Sequence, residues 1–452
     1  MLEKYRKYFK GKKVTLMRIG LLGRGVGDAA FMAETGADVT VVDAADQEAM
    51  QSSVDALAPY ENVTFAFGPY NFDDFKDADF VWVGAGTPLH EPVLVQCRNN
   101  NIPLKQSAAL FAELSGIPII GVTGTRGKST VTMMIHHVLT AVTGEEVLLG
   151  GNIRGVSNLQ LLTKVQEDSL AVMELDSWQL QGWGWAEMSP QIAVFTNFME
   201  DHLNYYQAAG TTKAEAMETY FADKANIFRY QEESGVCITT PEVFKRAQGL
   251  TGVTLGQEIV LADASVIPED TLLAMPGEHN RLNAALAYEA LKAVGLTEEE
   301  IFEGLATFPG VEGRLQLVKT VDNVRIYNDN NATTPQATAA ALESLDVGNR
   351  NIILIAGGED KQIDVAYVAH AIKEHCKQVI MTPGSGTQKL IELLHGTMAV
   401  TIVEDLQKAV EEAKLAAENA DIILLSPAFA SFGQYKNEYE RNDEFMRLVE
   451  GI

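Results

Sequence analysis

Cysteine is scarce. Cys97, Cys237 and Cys376 are the three in 452 residues, odd in number and far apart. They form neither a disulfide framework nor a zinc cluster, and a reduced cytoplasm is the simplest setting. No apolar run approaches the ~18 residues of a membrane span. The first twenty residues carry seven Lys/Arg but no apolar stretch ending in a small-residue cleavage site, so no signal peptide is expected. Basic residues are outnumbered 35 to 61, for a formal charge of −26. Such a chain is a poor non-specific ligand for nucleic acid or an anionic membrane, although local backbone amides can still hold small anions. Low-complexity segments and short repeats are missing. With 46% hydrophobic and 21% charged residues, disordered and collagen-like chains are excluded.

What recurs instead is a short apolar strand, a glycine turn and an amphipathic helix. That pattern predicts an α/β protein with mostly parallel sheets. It restarts twice, giving three expected domains at residues 1–106, 107–311 and 312–452. In the first, Val14 to Leu22 reads as a strand, Gly23 to Gly27 as a turn, Asp28 to Thr35 as a short helix and Asp38 to Asp43 as a second strand. This is a dinucleotide-type opening, but Leu22 stands where a middle glycine is expected, so a nucleotide site and a plain tight turn remain alternatives. The second block opens with a strand from Ile117 to Gly124 and a helix striped by Val131, Met134, Ile135, Val138 and Val142. Strands Leu170 to Asp176 and Ile192 to Phe198 follow. The third block, from near Val311, has strands VRIYND, IILIAGG, QVIMTPG, VTIVED and IILLSPA, with helices such as Pro335 to Leu345 and Leu406 to Asn419.

The strongest chemical signal is the loop Gly124-Thr125-Arg126-Gly127-Lys128-Ser129-Thr130. Between a strand and a helix, its amides can cradle phosphate oxygens, Lys128 can reach the terminal phosphates, and the Ser129 or Thr130 hydroxyl can hold Mg2+. A strict phosphate loop has glycine where Val122 stands. Glu174 and Asp176 sit two apart at a strand end, which places both on one face where ligands of open α/β sheets bind. Either is a candidate Mg2+ carboxylate or a loop cap. His202 follows two acids at the next strand end and is a metal or phosphate candidate. His136 and His137 read as packing residues. Trp178, Trp183 and Trp185 read as packing, with a sugar-stacking platform as the alternative.

Taken in order, GVTGTRGKST, GGNI at Gly150, MELDSWQL, NFMEDHLNYY, PGEHNRLNAALA at Pro276, GRLQ at Gly313, YNDNNATT at Tyr327, GGEDK at Gly357 and LLSPAFASFGQYKNEYERNDEF at Leu424 resemble the Mur ligases of bacterial cell-wall synthesis. The last two motifs are most similar to the glutamate-adding MurD branch. The resemblance covers nearly the whole chain. It implies a Rossmann-like N-terminal domain for the UDP end of the donor, a central ATP-binding domain of the phosphate-loop class, and a Rossmann-like C-terminal domain for the amino acid. It also implies ATP- and Mg2+-dependent ligation of glutamate to UDP-N-acetylmuramoyl-L-alanine through an acyl phosphate. The setting implied is a cytoplasmic, monomeric enzyme of peptidoglycan precursor synthesis with small-molecule substrates and neither nucleic-acid nor membrane partners.

Residue by residue, the resemblance makes Lys128, Glu174, His202 and Lys224 catalytic. Ser129, Glu174, His202 and a carbamoylated Lys224 would hold metal. Gly124 to Thr130, Asn280, Asn283, Arg314 and Asp329 would bind ATP. Gly23, Arg24, Asp43, Gly86 and Asn152 would bind the UDP-substrate, and Thr333, Lys361 and Ser431 the amino acid. Asp176-Ser177-Trp178 replaces the usual Ser-Ser-Phe, Asn331 a usual lysine, and Glu438 a usual phenylalanine. An extra acid beside a dicarboxylate substrate repels it. D-Glutamate is the favoured acceptor. An L-glutamate-adding relative, another Mur or folylpolyglutamate-type ligase, an idle nucleotide-binding relative and a dinucleotide oxidoreductase are the alternatives.

Overall fold

A computed structural model describes residues 2–20, 23–144, 146–207, 211–250, 258–269, 271, 273–346 and 348–451. The expected middle-glycine position, Leu22, lies outside the described residues. The chain forms two compact units, Met1–Ile267 with Leu282–Gly304, and Pro268–Arg281 with Leu305–Ile452.

The first unit contains two wholly parallel sheets. One has the order β3-β2-β1-β4-β5, from Lys13–Met17 (β1), Asp38–Asp43 (β2), Val63–Phe67 (β3), Phe80–Val83 (β4) and Leu104–Lys105 (β5). The other has the order β11-β10-β9-β6-β8-β7, from Ile119–Thr123 (β6), Leu148–Gly151 (β7), Ala171–Glu174 (β8), Ile192–Phe195 (β9), Val236–Thr239 (β10) and Glu258–Leu261 (β11). One continuous core joins them, running from Phe9, Phe31 and Phe80 to Leu159, Trp183 and Phe228. This shared apolar face is why two sequence blocks fold as one body.

The second unit has one sheet, β12-β13-β17-β14-β15-β16, from Gln316–Val321 (β12), Val324–Asn328 (β13), Ile352–Ala356 (β14), Cys376–Met381 (β15), Val400–Ile402 (β16) and Ile422–Leu425 (β17). Among the described residues, only the β12–β13 strand pair is antiparallel. Separate apolar clusters cover its two faces, so every residue of β14 and β17 is buried, as expected for a sheet covered on both sides.

Several expected boundaries move. The first strand ends at Met17 and the helix that follows it begins at Arg24, not Asp28. Only Gly23 turns, with φ of 78°. Gly25 and Gly27 are helical, and their role is close packing. A Cβ on Gly25 would stand 2.1 Å from the Ile19 carbonyl oxygen, and one on Gly27 2.6 Å from Ser157 Cβ. Strand β8 stops at Glu174, so Asp176 is not its face-mate. Its side chain instead caps the helix Ser177–Trp185 by accepting from the Gln179 amide, and Gln179 reciprocates in a capping box. The helix at Pro335–Leu345 matches its expected span, and the one from Leu406 ends at Ala416.

Candidate active site

In the central sheet β6 lies between β8 and β9, all running the same way. Three loops therefore leave one edge together: the phosphate loop after β6, the segment after Glu174, and the segment 196–202 after β9. Open α/β sheets bind ligands at this carboxyl edge. The loop is bent by Gly124 (φ 145°) and Gly127 (φ 82°), and Gly127 caps the helix Lys128–Thr143. A Cβ on Gly124 would meet Thr196 Oγ1 and one on Gly127 would meet Asn283 Oδ1 at 2.4 Å, so neither position admits a side chain. The helix N-terminus adds partial positive charge.

The 196–199 segment supports the loop from below. Asn197 Oδ1 accepts from the Arg126 amide at 2.9 Å, and its carbonyl accepts from the Thr125 amide at 2.9 Å. Thr196 Oγ1 donates to the Arg126 carbonyl at 2.5 Å. The Met199 amide donates to Thr125 Oγ1 at 3.0 Å. Arg126 pairs with Asp201 at 3.4 Å. Lys128 Nζ folds onto the carbonyls of Gly124 and Thr125 at 3.1 and 3.2 Å.

Lys224 comes from the helix Lys213–Arg229 and is 1% exposed. Its Nζ donates to the Gly124 carbonyl at 2.8 Å and lies 5.0 Å from the Tyr220 ring centre. Burial, and then the like charge of Lys128, push its pKa well below the usual lysine range, against the pull of Asp176, Asp201 and Glu174. Glu174 is buried at the end of β8, where its Oε1 accepts from Asn152 Nδ2 at 3.4 Å. His202 adopts a left-handed conformation (φ 54°) and lies 4.7 Å, ring to ring, from Trp178. Burial lowers its pKa despite Asp201, favouring neutral imidazole. Thr130 is buried in the first turn after Ser129.

Parallel strands also bring Gly23, Asp43 and Gly86 to one edge of the N-terminal sheet. Asp43 Oδ1 accepts from the Ala45 amide at 3.1 Å, and Gly86 (φ 79°) accepts at its carbonyl from Arg18. Arg24 Nη1 donates to Asn152 Oδ1 at 2.7 Å, and the Asn152 amide to the Glu174 carbonyl at 2.7 Å. A direct chain of contacts thus runs from the first sheet to the end of β8.

In the second unit the loops after β13, β17 and β14 are neighbours. The Ala428 amide donates to the Ala332 carbonyl, and Glu359 and Ala430 exchange backbone hydrogen bonds. This stitching places Thr333, Lys361 and Ser431 on adjoining loops, and Lys361 Nζ donates to Thr333 Oγ1 at 2.9 Å. Asp329 is buried, its oxygens accepting from the Leu315 amide at 3.0 Å and Ser426 Oγ at 2.8 Å. Burial raises its pKa to about 7, opposed in order by Ser426, Leu315 and the Arg314 charge. Asn280 is buried and its Nδ2 donates to the Pro276 carbonyl at 2.9 Å.

Comparison with known proteins decides the family. Residues 122–254 match the Mur ligase middle domain and residues 313–429 the Mur ligase glutamate ligase domain. A protein of Roseiflexus sp. (strain RS-1) named UDP-N-acetylmuramoylalanine–D-glutamate ligase is 34% identical, over 98% of this chain and 99% of its own. One of that name from Clostridioides difficile (strain 630) is 30% identical, over 98% and 99%. The chain belongs to the Mur ligase family. The fold agrees with the solved UDP-N-acetylmuramate–alanine ligase MurC of Thermotoga maritima, with TM-score 0.58, 20% identity, and coverage of 97% of this chain and 99% of that one. It also agrees with E. coli FolC in complex with DHPP and ADP, with TM-score 0.54, 19% identity, and coverage of 76% and 92%. As a Mur ligase, the protein is an ATP-dependent enzyme acting on small molecules.

Within this Mur ligase, the sequence reading singled out Lys128, Glu174, His202 and Lys224, and the structure gathers them on one edge. It shows three supports that the reading passed over. Asn197 and Thr196 hold the loop, and their one sequence cue was a polar pair at a strand end. Tyr220 precedes Lys224 by one helical turn, a spacing that puts both on one face. His136 Nε2 contacts the Val147 carbonyl at 3.0 Å, and Trp183 is core, as packing residues. Trp178 instead lies over His202 and against Gly86. Burial lowers the pKa of Arg441 to about 10, opposed by Tyr435 and then by Glu438, which opens the helix Glu438–Glu450. Arg441 in turn donates to Asn330 Oδ1 at 2.8 Å. The extra acid therefore has a cation of its own chain to answer.

Proposed function

We propose that this Mur ligase joins glutamate, with D-glutamate the favoured enantiomer, to UDP-N-acetylmuramoyl-L-alanine at the expense of ATP, in cytoplasmic peptidoglycan precursor synthesis and as a monomer. The observation that carries the reading is the phosphate loop with Lys128 and buried Lys224 beside Glu174, linked through Asn152 and Arg24 to the first sheet. In this reading residues 1–106 would take the UDP-substrate, 107–311 ATP and 312–452 the amino acid.

A free carboxylate is a poor acylating agent. Its oxygen attacks the γ-phosphorus, ADP leaves, and the resulting acyl phosphate takes the glutamate amine at carbon with loss of phosphate and a proton. The amides of Gly124 to Lys128 and the Lys128 ammonium hold phosphate oxygens and stabilise developing charge. Gly23, Arg24, Asp43, Gly86 and Asn152 position the donor. Asn280, Asn283, Arg314 and Asp329 serve the nucleotide, and Thr333, Lys361 and Ser431 the glutamate carboxylates.

Among the described residues no three His, Cys, Asp or Glu side chains form a metal-holding group. The oxygen donors that Mg2+ prefers would come from Glu174, Ser129 and a carbamate on Lys224, with His202 beside them. Such an ion supplies charge neutralisation at the phosphates. The burial of Lys224 supports carbamoylation, because it favours the neutral amine that reacts with CO2.

The test is phosphate release from ATP by the purified protein with Mg2+, the UDP-linked donor and glutamate. Release requiring all substrates is expected. No release with either glutamate enantiomer overturns the reading.

A further inference from the structure

The helix Arg24–Glu34 of the first sheet meets the short helix Asn158–Leu161 of the central sheet at an unusually close crossing. Gly27 makes it close, since any Cβ there would collide with Ser157. The next residue, Asp28, is 1% exposed. Its Oδ1 accepts from Ser157 Oγ at 2.5 Å and from the Leu159 amide at 3.0 Å. A carboxylate from one sheet's helix thus caps the N-terminus of a helix belonging to the other. The carboxyl also faces Ser107, the first residue of the helix Ser107–Ser115, so the group sits at the meeting of three helices. Burial raises its pKa to about 6, opposed by Ser107, Ser157, Leu159 and, on its own helix, Arg24. A carboxyl carrying that desolvation cost is poorly explained as filler between packed helices.

Its place suggests what it does. Arg24 is one turn before Asp28 on the same helix. Asn152 is five residues before Ser157 on the segment Asp28 grips. Arg24 and Asn152 are bonded to each other at 2.7 Å, and Asn152 is bonded to Glu174. We propose that Asp28 is a positioning residue for the donor site, a clasp that acts through Ser157 and the Leu159 amide to hold Asn152 against Arg24. The inference rests on the donor reading above and deepens it.

Calorimetry with UDP-N-acetylmuramoyl-L-alanine and, separately, with ATP tests this on the full chain. Asp28→Ala should weaken donor binding about tenfold and leave ATP binding within about twofold. Asp28→Asn keeps an acceptor for both donors and should restore donor affinity to within about threefold. Ser157→Ala removes the contact from the other side and should give an intermediate loss, which keeps the clasp testable if Asp28→Ala does not fold. Steady-state rates should show the loss in donor KM with kcat largely kept. Donor affinity unchanged in both Asp28→Ala and Ser157→Ala, or equal loss of donor and ATP binding, overturns the clasp. Failure of the unmodified protein to bind the donor overturns the donor reading, and the clasp's role with it.

Discussion

Two lysines sit in opposite surroundings. Lys224 in the first unit is sealed, bonded to one carbonyl, and pushed toward its neutral form by burial and by Lys128. Lys361 in the second unit is exposed at a loop and donates to a threonine hydroxyl. A neutral amine is a nucleophile that CO2 can capture, whereas a solvated ammonium is a point charge suited to a carboxylate. On the proposed reading the same residue type would serve as a masked anion in one place and as a cation in the other, with burial making the difference.

The experiments that break this contrast begin with the largest effects. Lys224→Ala should lower turnover by at least about a hundredfold, without rescue by bicarbonate, in a protein whose circular dichroism is native. Near-normal activity would leave Lys224 a packing residue. Lys128→Ala should be comparably inactive yet bind the UDP-linked donor within about twofold, because all the donor residues but Asn152 belong to another sheet. Equal loss of both on calorimetry would contradict that separation. Lys361→Ala should act on a single substrate. Its glutamate KM should rise about tenfold or more while the ATP KM stays level, as expected for one charge-assisted contact.

A subtler comparison uses chirality. Initial rates with D- and L-glutamate should favour D. Glu438→Gln should leave that ratio unchanged and lower the melting temperature, because it removes an acid that answers buried Arg441. A changed ratio would make Glu438 a reader of the substrate amine.

The smallest effect concerns Asp329. Its native pKa is about 7, against ~3.9 in an unfolded chain. The native state therefore retains a proton that the unfolded state releases. The stabilisation is full below about pH 4 and is lost as pH rises through 7. Between pH 5.5 and 8 the unmodified protein should lose roughly 2–4 °C more in melting temperature than Asp329→Asn. Parallel curves would assign that titration elsewhere.

Much of this was readable in the residues because parallel sheets advertise themselves. Apolar runs such as IILIA, each followed by a glycine or an acid, mark strands whose carboxyl ends share an edge. Errors came where one residue type serves two ends. Gly25 and Gly27 look like turn formers but are helical, because the need for close approach leaves no separate mark in a single sequence. Asp176 looks like the partner of Glu174 but caps a helix, because the strand stops two residues short of it. The antiparallel β12 was missed, since Gln316–Val321 is half-exposed and bears Lys319. At the site, Lys128 is legible from its loop alone. Lys224 sits in a helix with no local sign of burial, and only family resemblance drew attention to it. Asn197, Tyr220 and Asp28 depend on contacts across 71, 95 and 129 residues, which no local pattern encodes.

The contrast between the two lysines is tested most directly by carbon-13 NMR of the protein equilibrated with labelled bicarbonate near neutral pH. One carbamate resonance should appear, vanish in Lys224→Gln and persist in Lys361→Ala. An active protein with no carbamate signal, or a signal that survives Lys224→Gln, would contradict the account.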